Sequence, residues 1–192
     1  MEDYESLLHS IFKECYRVLK TGRCLVSTFN SRDLRIVSSF VVAASKAGFV
    51  LHPDGLLYQK PIRAYTTTFH AMQIGALVGD FVFTFVKKKQ GITATPPADQ
   101  ELSKLNQYVE SLINEEVSGE IAEPQVRQKA YRALIPFLTK YAISDIDACR
   151  SAVSFFEGEM RRQDQHFKNV RTKITSERKQ AFQSKRRKRS ST

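Results

Sequence analysis

Two stretches of this chain concentrate groups able to do chemistry. Between Arg63 and His70 lie a guanidinium, the Tyr65 phenol, the three consecutive hydroxyls of Thr66, Thr67 and Thr68, and an imidazole, with no carboxylate among them. Gly75 and Gly79 follow, and then the apolar run DFVFTFV from residue 80. A polar segment so poor in acids, leading straight into a strand, fits neither an ordinary surface loop nor an amphipathic helix. The second stretch is Lys185-Arg186-Arg187-Lys188-Arg189. Clustered cations of this kind neutralise phosphates without reading base sequence.

The net charge of +10 belongs to that end of the chain alone. Residues 161–192 hold 12 of the 30 Lys/Arg and 2 of the 20 Asp/Glu, so the first 160 residues are balanced at 18 against 18. Long-range attraction for a polyanion is therefore expected from the tail. Cys15, Cys24 and Cys149 form no C-x-x-C pair, and His9, His52, His70 and His166 show no metal-ligand spacing. Neither a disulfide framework nor a structural metal is expected. No run approaches the ~18 apolar residues of a membrane span. The opening MEDYES is acidic and lacks the basic-then-apolar pattern of a signal peptide. These features point to the cytoplasm and away from a membrane.

The elements that must position these groups can be read from periodicity. Leu7, Leu8, Ile11, Phe12, Cys15, Val18 and Leu19 predict a helix over 3–20, with Gly22 at its C-terminal turn. CLVSTF at 24–29 predicts a buried strand. Asn30, Ser31 and Asp33 offer N-caps for a helix from about 33 to 47 that ends at Gly48. FVLH and LLYQ, around Pro53-Asp54-Gly55, predict one strand or two short ones joined by a tight turn, and DFVFTFV another strand. Phe81, Phe83 and Phe85 alternate as a core strand does. Residues 88–98 read as a linker, 99–160 as helical, and 161–192 as a basic helix with a disordered end in KRRKRSST. Candidate helices run from about 99 to 117, 124 to 140, and 145 into the tail.

ECYRVLKTGRCLVSTFN, residues 14–30, resembles the Arg-Val-Leu-Lys-Pro-Gly-Gly helix-turn-strand unit of S-adenosylmethionine-dependent methyltransferases. Thr21 and Arg23 stand where that unit usually has proline and glycine. GLLYQKPIRAYTTTFHAMQIGALVGDFVFTFVK, residues 55–87, resembles the C-terminal part of adenine-specific (N6) DNA methyltransferases. In that family a similar segment joins the last parallel-type strand to the antiparallel strand that closes the sheet. The resemblance covers residues 3–87. It implies an α/β fold, with a partial Rossmann-like methyltransferase sheet over 1–87 followed by a helical C-terminal region.

The resemblance also implies roles. The 61–79 loop would sit at the active-site face, with Arg63 meeting a phosphate or base, Tyr65 stacking, and Thr66, Thr67 and Thr68 bonding the DNA backbone or forming an extended edge segment. His70 would donate to phosphate, or pack as an ordinary polar residue; Tyr58 and Gln59 are lesser candidates. Asn30 would approach substrate or cap the following helix, the cap being favoured. Yet no Gly-x-Gly occurs, and the sole Pro-Pro, Thr95-Pro96-Pro97-Ala98, lacks the flanking polar and aromatic residues of the catalytic loop. No residue is assigned a catalytic role. The expectation is part of a DNA methyltransferase, inactive alone, as a fragment, one half of a split enzyme or a degenerate copy, with DNA as partner, S-adenosylmethionine as donor in the complete enzyme, and the missing motifs in an upstream-encoded half or another part of the full protein. The rival is a non-enzymatic nucleic-acid-binding or interaction protein that works through Lys185, Arg186, Arg187, Lys188 and Arg189. One outcome follows from the motifs alone. The isolated chain is expected not to bind S-adenosylmethionine, and a calorimetric titration giving a micromolar dissociation constant would overturn that.

Overall fold

The computed structural model describes residues 2–59, 77, 79–87, 98–117 and 123–189. Helical spacing turns Leu8, Phe12 and Cys15 of α1 (Glu2–Val18) toward the interior. Leu7, Ile11 and Val18 form a second apolar stripe on the same helix and are 61%, 51% and 66% exposed. Gly22 then takes the left-handed conformation (φ 77°) that the sequence assigns it, a geometry costly for any residue with a Cβ. The turn is tied down from afar, because Gly22 N–H donates to the Lys87 carbonyl at 2.9 Å and Lys87 N–H to the Arg23 carbonyl at 3.1 Å. Lys87 Nζ also donates to the carbonyls of Tyr16 and Leu19, placing a cation on the C-terminal carbonyls of α1.

Next come β1 (Cys24–Phe29), α2 (Leu34–Lys46), β2 (Phe49–Gln59) and β3 (Asp80–Lys87), then α3 (Asp99–Val117), α4 (Glu123–Tyr141) and α5 (Ile146–Arg189). Asp33 caps α2, accepting from Arg35 N–H at 2.9 Å, and Asp145 caps α5, accepting from Ala148 N–H at 2.9 Å. β2 is one strand rather than two. Leu51 pairs with Phe85 and Leu56 with Phe83, so His52 to Gly55 bulge opposite Thr84 alone. Gly55 is needed there, because a Cβ would lie 2.7 Å from the Thr84 carbonyl oxygen. The helical backbone of α5 runs on to Arg189, through the cationic cluster that the sequence alone assigns to a disordered end.

Among the described residues the sheet has the order β1-β3-β2, with β3 antiparallel to both neighbours. β1 and β2 therefore run in the same direction on either side of it. The fold class is α/β, and its sheet is small. Register puts Phe81, Phe83 and Phe85 on one face with Phe29, Leu51 and Tyr58. These three phenylalanines are fully buried. Phe12 of α1 lies 6.1 Å from Phe85, Phe40 of α2 5.1 Å from Phe83, and Tyr131 of α4 stacks on Phe81 at 5.9 Å. All three helices thus cover the same face, and α3 and α5 pack beyond them on α2 and α4. The opposite face carries Cys24, Val26, Thr28, Val50, Leu57, Val82, Thr84 and Val86, none of them buried. Val26 and Leu57 are 61% and 57% exposed.

The two faces of β3 should differ in what they hold. Phe83→Ala is expected to cost about 3–5 kcal/mol by loss of burial and cavity formation. Val82→Ala, one residue away on the open face, should cost about 1 kcal/mol or less, mostly as strand propensity. Chemical denaturation of both variants checks this, and equal losses would show the face assignment to be wrong.

Candidate functional site

The parallel run of β1 and β2 brings their C-terminal ends to one edge of the sheet, where ligands of open α/β sheets bind. Phe29 ends β1 opposite Phe81, and Gln59 ends β2 opposite Asp80. The chain thus leaves at Gln59 and returns at Asp80 on that same edge. Two side chains hold the return. Tyr58 OH accepts from Gly79 N–H at 2.9 Å, and Asn30 Nδ2 donates to the Leu77 carbonyl at 3.2 Å. Burial raises the Tyr58 phenol above its ordinary pKa, so the hydroxyl stays protonated at this contact. No side chain fits at Gly79, where a Cβ would sit 2.2 Å from the Gln59 carbonyl oxygen.

Asn30 is therefore not the helix cap that sequence favours. Asp33 takes that position, and Ser31 Oγ accepts from Asp33 N–H at 3.1 Å. Tyr131 of α4 donates to the carbonyls of Arg32 (3.1 Å) and Ser31 (3.3 Å), joining the helical layer to the β1–α2 junction. Deep burial drives its pKa far up, so it remains a donor at any physiological pH.

Beside this junction lies a cavity of about 390 Å³. Ser31 to Arg35 form one wall, Glu157, Met160, Arg161 and Asp164 of α5 another, and Arg127 of α4 completes the lining. Arg127 is only 4% exposed at its side chain and pairs with Asp164 at 2.7 Å. Burying a guanidinium requires such a partner, because an unpaired buried charge is costly. Arg35 bonds Asp33 at 2.8 Å and Glu157 at 3.1 Å. That guanidinium holds the Asp33 carboxyl below its usual range, outweighing the opposing effect of partial burial.

Among the described residues no group of three or more His, Cys, Asp or Glu could hold a metal ion. Cys149 is buried, and that burial, with Asp145 nearby, pushes its thiol up to about 12, which leaves it protonated and a poor nucleophile. No described helix is long and apolar enough to cross a membrane.

Arg63, Tyr65, Thr66, Thr67, Thr68 and His70 lie outside the described residues, between the anchors at Gln59 and Gly79. Lys185, Arg186, Arg187, Lys188 and Arg189 occupy the last stretch of the α5 backbone. The cavity residues Arg32, Arg127, Arg161 and Asp164 have no counterpart in the sequence reading. Arg32 follows β1, Arg127 lies on α4, and Arg161 and Asp164 open the basic segment of α5, so only the packing of α4 and α5 against the β1–α2 junction brings them together. Comparisons with protein-family models, with curated proteins and with solved structures found no match.

Asp33 is the most connected polar residue at the junction, so removing it should be measurable. Asp33→Ala is expected to destabilise by about 1 kcal/mol at neutral pH through the lost cap. A carboxyl with a depressed folded-state pKa contributes its stability above the unfolded value of about 4 and loses it as pH falls through the lower folded value. The gap between wild type and variant should therefore close on acidification below about pH 4, and thermal melts from pH 7 to 3 would show whether it does.

Proposed function

We propose that this chain is the C-terminal half of an adenine-specific DNA methyltransferase that acts in the cytoplasm. One observation carries the reading: β1 and β2 run parallel, with the antiparallel β3 inserted between them. An antiparallel strand closing a sheet after its last parallel-type strand is what the resemblance of residues 55–87 to the adenine methylases implies. The α2 crossover between parallel strands is the ordinary connection of a Rossmann-like sheet. Two unpartnered surfaces add support. Among the described residues the outer edge of β1 pairs with nothing, and α1 shows its second stripe of Leu7, Ile11 and Val18. A complementary half that adds a strand beside β1 would cover both.

The residues present do not fit the methyl donor. Asp33, the acid at the end of β1, is engaged by Arg35 and by the N-terminal amides of α2, which leaves it unavailable to a ribose. Gly22, the tight turn before β1, gives its N–H to Lys87. Donor binding therefore belongs to the complementary half. This chain contributes the substrate side, where the Tyr58–Gly79 and Asn30–Leu77 contacts fix the return of the chain to β3.

The test is methyl transfer to adenine in duplex DNA from labelled S-adenosylmethionine, with this chain alone and mixed with the polypeptide encoded immediately upstream. The chain alone should be inactive and the mixture active. Gly79→Ala should lower the activity of the mixture by about tenfold or more, because the added Cβ collides with backbone. An inactive mixture, or an active chain without the second half, would overturn the proposal.

A second reading, a non-enzymatic nucleic-acid-binding protein, is favoured by the continuity of α5 to Arg189, which lines up the cations of residues 161–189 on one helix. If about five of them neutralise phosphates, log K for duplex binding falls against log salt with a slope of about −4 to −5. Changing Lys185, Arg186, Arg187, Lys188 and Arg189 to Gln should then remove most of that slope, whereas Arg63→Ala alters it by about one unit. Retention of the slope in the five-fold variant would place the DNA contact elsewhere.

A further inference from the structure

We infer that α1 is a docking surface for a second copy of this chain, the two α1 helices lying antiparallel across a two-fold axis. The inference concerns the chain by itself and does not require the methyltransferase reading; a complementary half would compete for the same stripe. Tyr4, Leu7, Ile11, Glu14 and Val18 recur at spacings of 3, 4, 3 and 4, the heptad period of a helix–helix seam. All five are exposed. At about 3.6 residues per turn, this stripe falls on a flank of α1 that Phe12 and Leu8, which face the core, do not share. The Phe12 side is what packs α1 on the sheet and on α2, so the seam is surplus to the fold of one copy.

Charge selects the occupant. Asp3 and Arg17 stand two heptads apart, both exposed, on the same side of the stripe and at opposite ends of α1. Glu5 lies on the other flank, where Lys46 engages it at 2.6 Å. Arg17 already leans toward the stripe, bonding Glu14 at 2.7 Å. An antiparallel copy that sets Leu7 of each chain against Ile11 of the other brings Asp3 of each to Arg17 of the other. The same register carries the Tyr4 hydroxyl of each copy to the Glu14 carboxylate of the other, so the one acid in the stripe gains a donor. Two-fold symmetry makes every such contact twice. A parallel copy would instead set Asp3 against Asp3 and Arg17 against Arg17, and like charges across a seam are unfavourable. The stripe is therefore complementary to itself, in one orientation.

The test is sedimentation of the full-length chain, free of nucleic acid, over a concentration series at near-physiological ionic strength. The wild type should pass from monomer to dimer in the micromolar range, because one helix from each copy makes a small interface. Ile11→Lys, an exposed substitution, should keep the chain monomeric at concentrations where the wild type is dimeric. Asp3→Arg and Arg17→Glu should each weaken the dimer by about tenfold, since each reverses one member of two symmetric pairs. Mixing these two variants should recover the wild-type affinity, because the mixed pair again sets opposite charges together at both ends. Val26→Lys, on the open face of the sheet, should leave the dimer unchanged. Circular dichroism of each variant checks that α1 is intact; if Ile11→Lys loses helix, the charge-reversed pair carries the test by itself. A chain that stays monomeric throughout would overturn the inference, as would a mixture that recovers nothing. A dimer that survives Ile11→Lys, or that Val26→Lys abolishes, would overturn it too and assign association to the sheet.

Discussion

Everything in this fold depends on β3 lying between β1 and β2. It supplies all the cross-strand pairing that the described sheet has, since β1 and β2 meet only through it. The same strand delivers Phe81, Phe83 and Phe85 to the one face that the helices cover. Stacked and edge-on contacts join these rings to Phe40, Phe12, Phe49 and Tyr131, so α1, α2, β2 and α4 are all held against one strand. Aromatic pairs of this kind add to the burial of their area. Lys87 at the end of β3 extends its reach to the carbonyls that close α1.

The covered face leaves the opposite one short of partners. β-branched and apolar residues on all three strands face outward there, and the outer edge of β1 keeps its backbone groups unpaired among the described residues. Natural sheets generally blunt or cover such an edge, because it invites pairing with another chain. Here Val26 lies on β1 with no charge or proline in that strand to discourage association. Together with the outward stripe of α1, these surfaces are more apolar than an isolated three-stranded unit requires. Such surfaces invite a partner that would cover them.

Charge is arranged on a different principle from the core. The tail cations are brought together by sequence alone, whereas the arginines of the cavity come from separate elements, and Arg127 among them is desolvated and paired with Asp164. The Tyr131 bridge to the Arg32 and Ser31 carbonyls sets the geometry of that second group, because it fixes how α4 meets the end of β1.

Most elements were legible in the residues themselves. Periodicity places α1 to α5 and the three strands to within a few residues. Gly22 and Gly48 mark the ends of α1 and α2, because left-handed backbone is a local demand that a residue type answers by itself, whereas Asp33 was one of three caps on offer. The role of Phe81, Phe83 and Phe85 was legible for the same reason, as alternation alone decides which side of a strand is apolar. Other features were not. Whether His52 to Gly55 form a turn or a bulge depends on the approach of Thr84 on the neighbouring strand. Asn30 reads as a cap until Leu77 is brought beside it, and Tyr58 reads as a lesser DNA-contact candidate until Gly79 N–H is found on its hydroxyl. The cavity was invisible, because Arg32, Arg127 and Arg161 lie on three elements that meet only when the helices pack on the sheet. Sequence by itself determined the local conformations and the sign of the charge along the chain. The tertiary structure decided which polar groups find partners, since a hydrogen bond or ion pair between residues a hundred positions apart is set by packing and not by spacing.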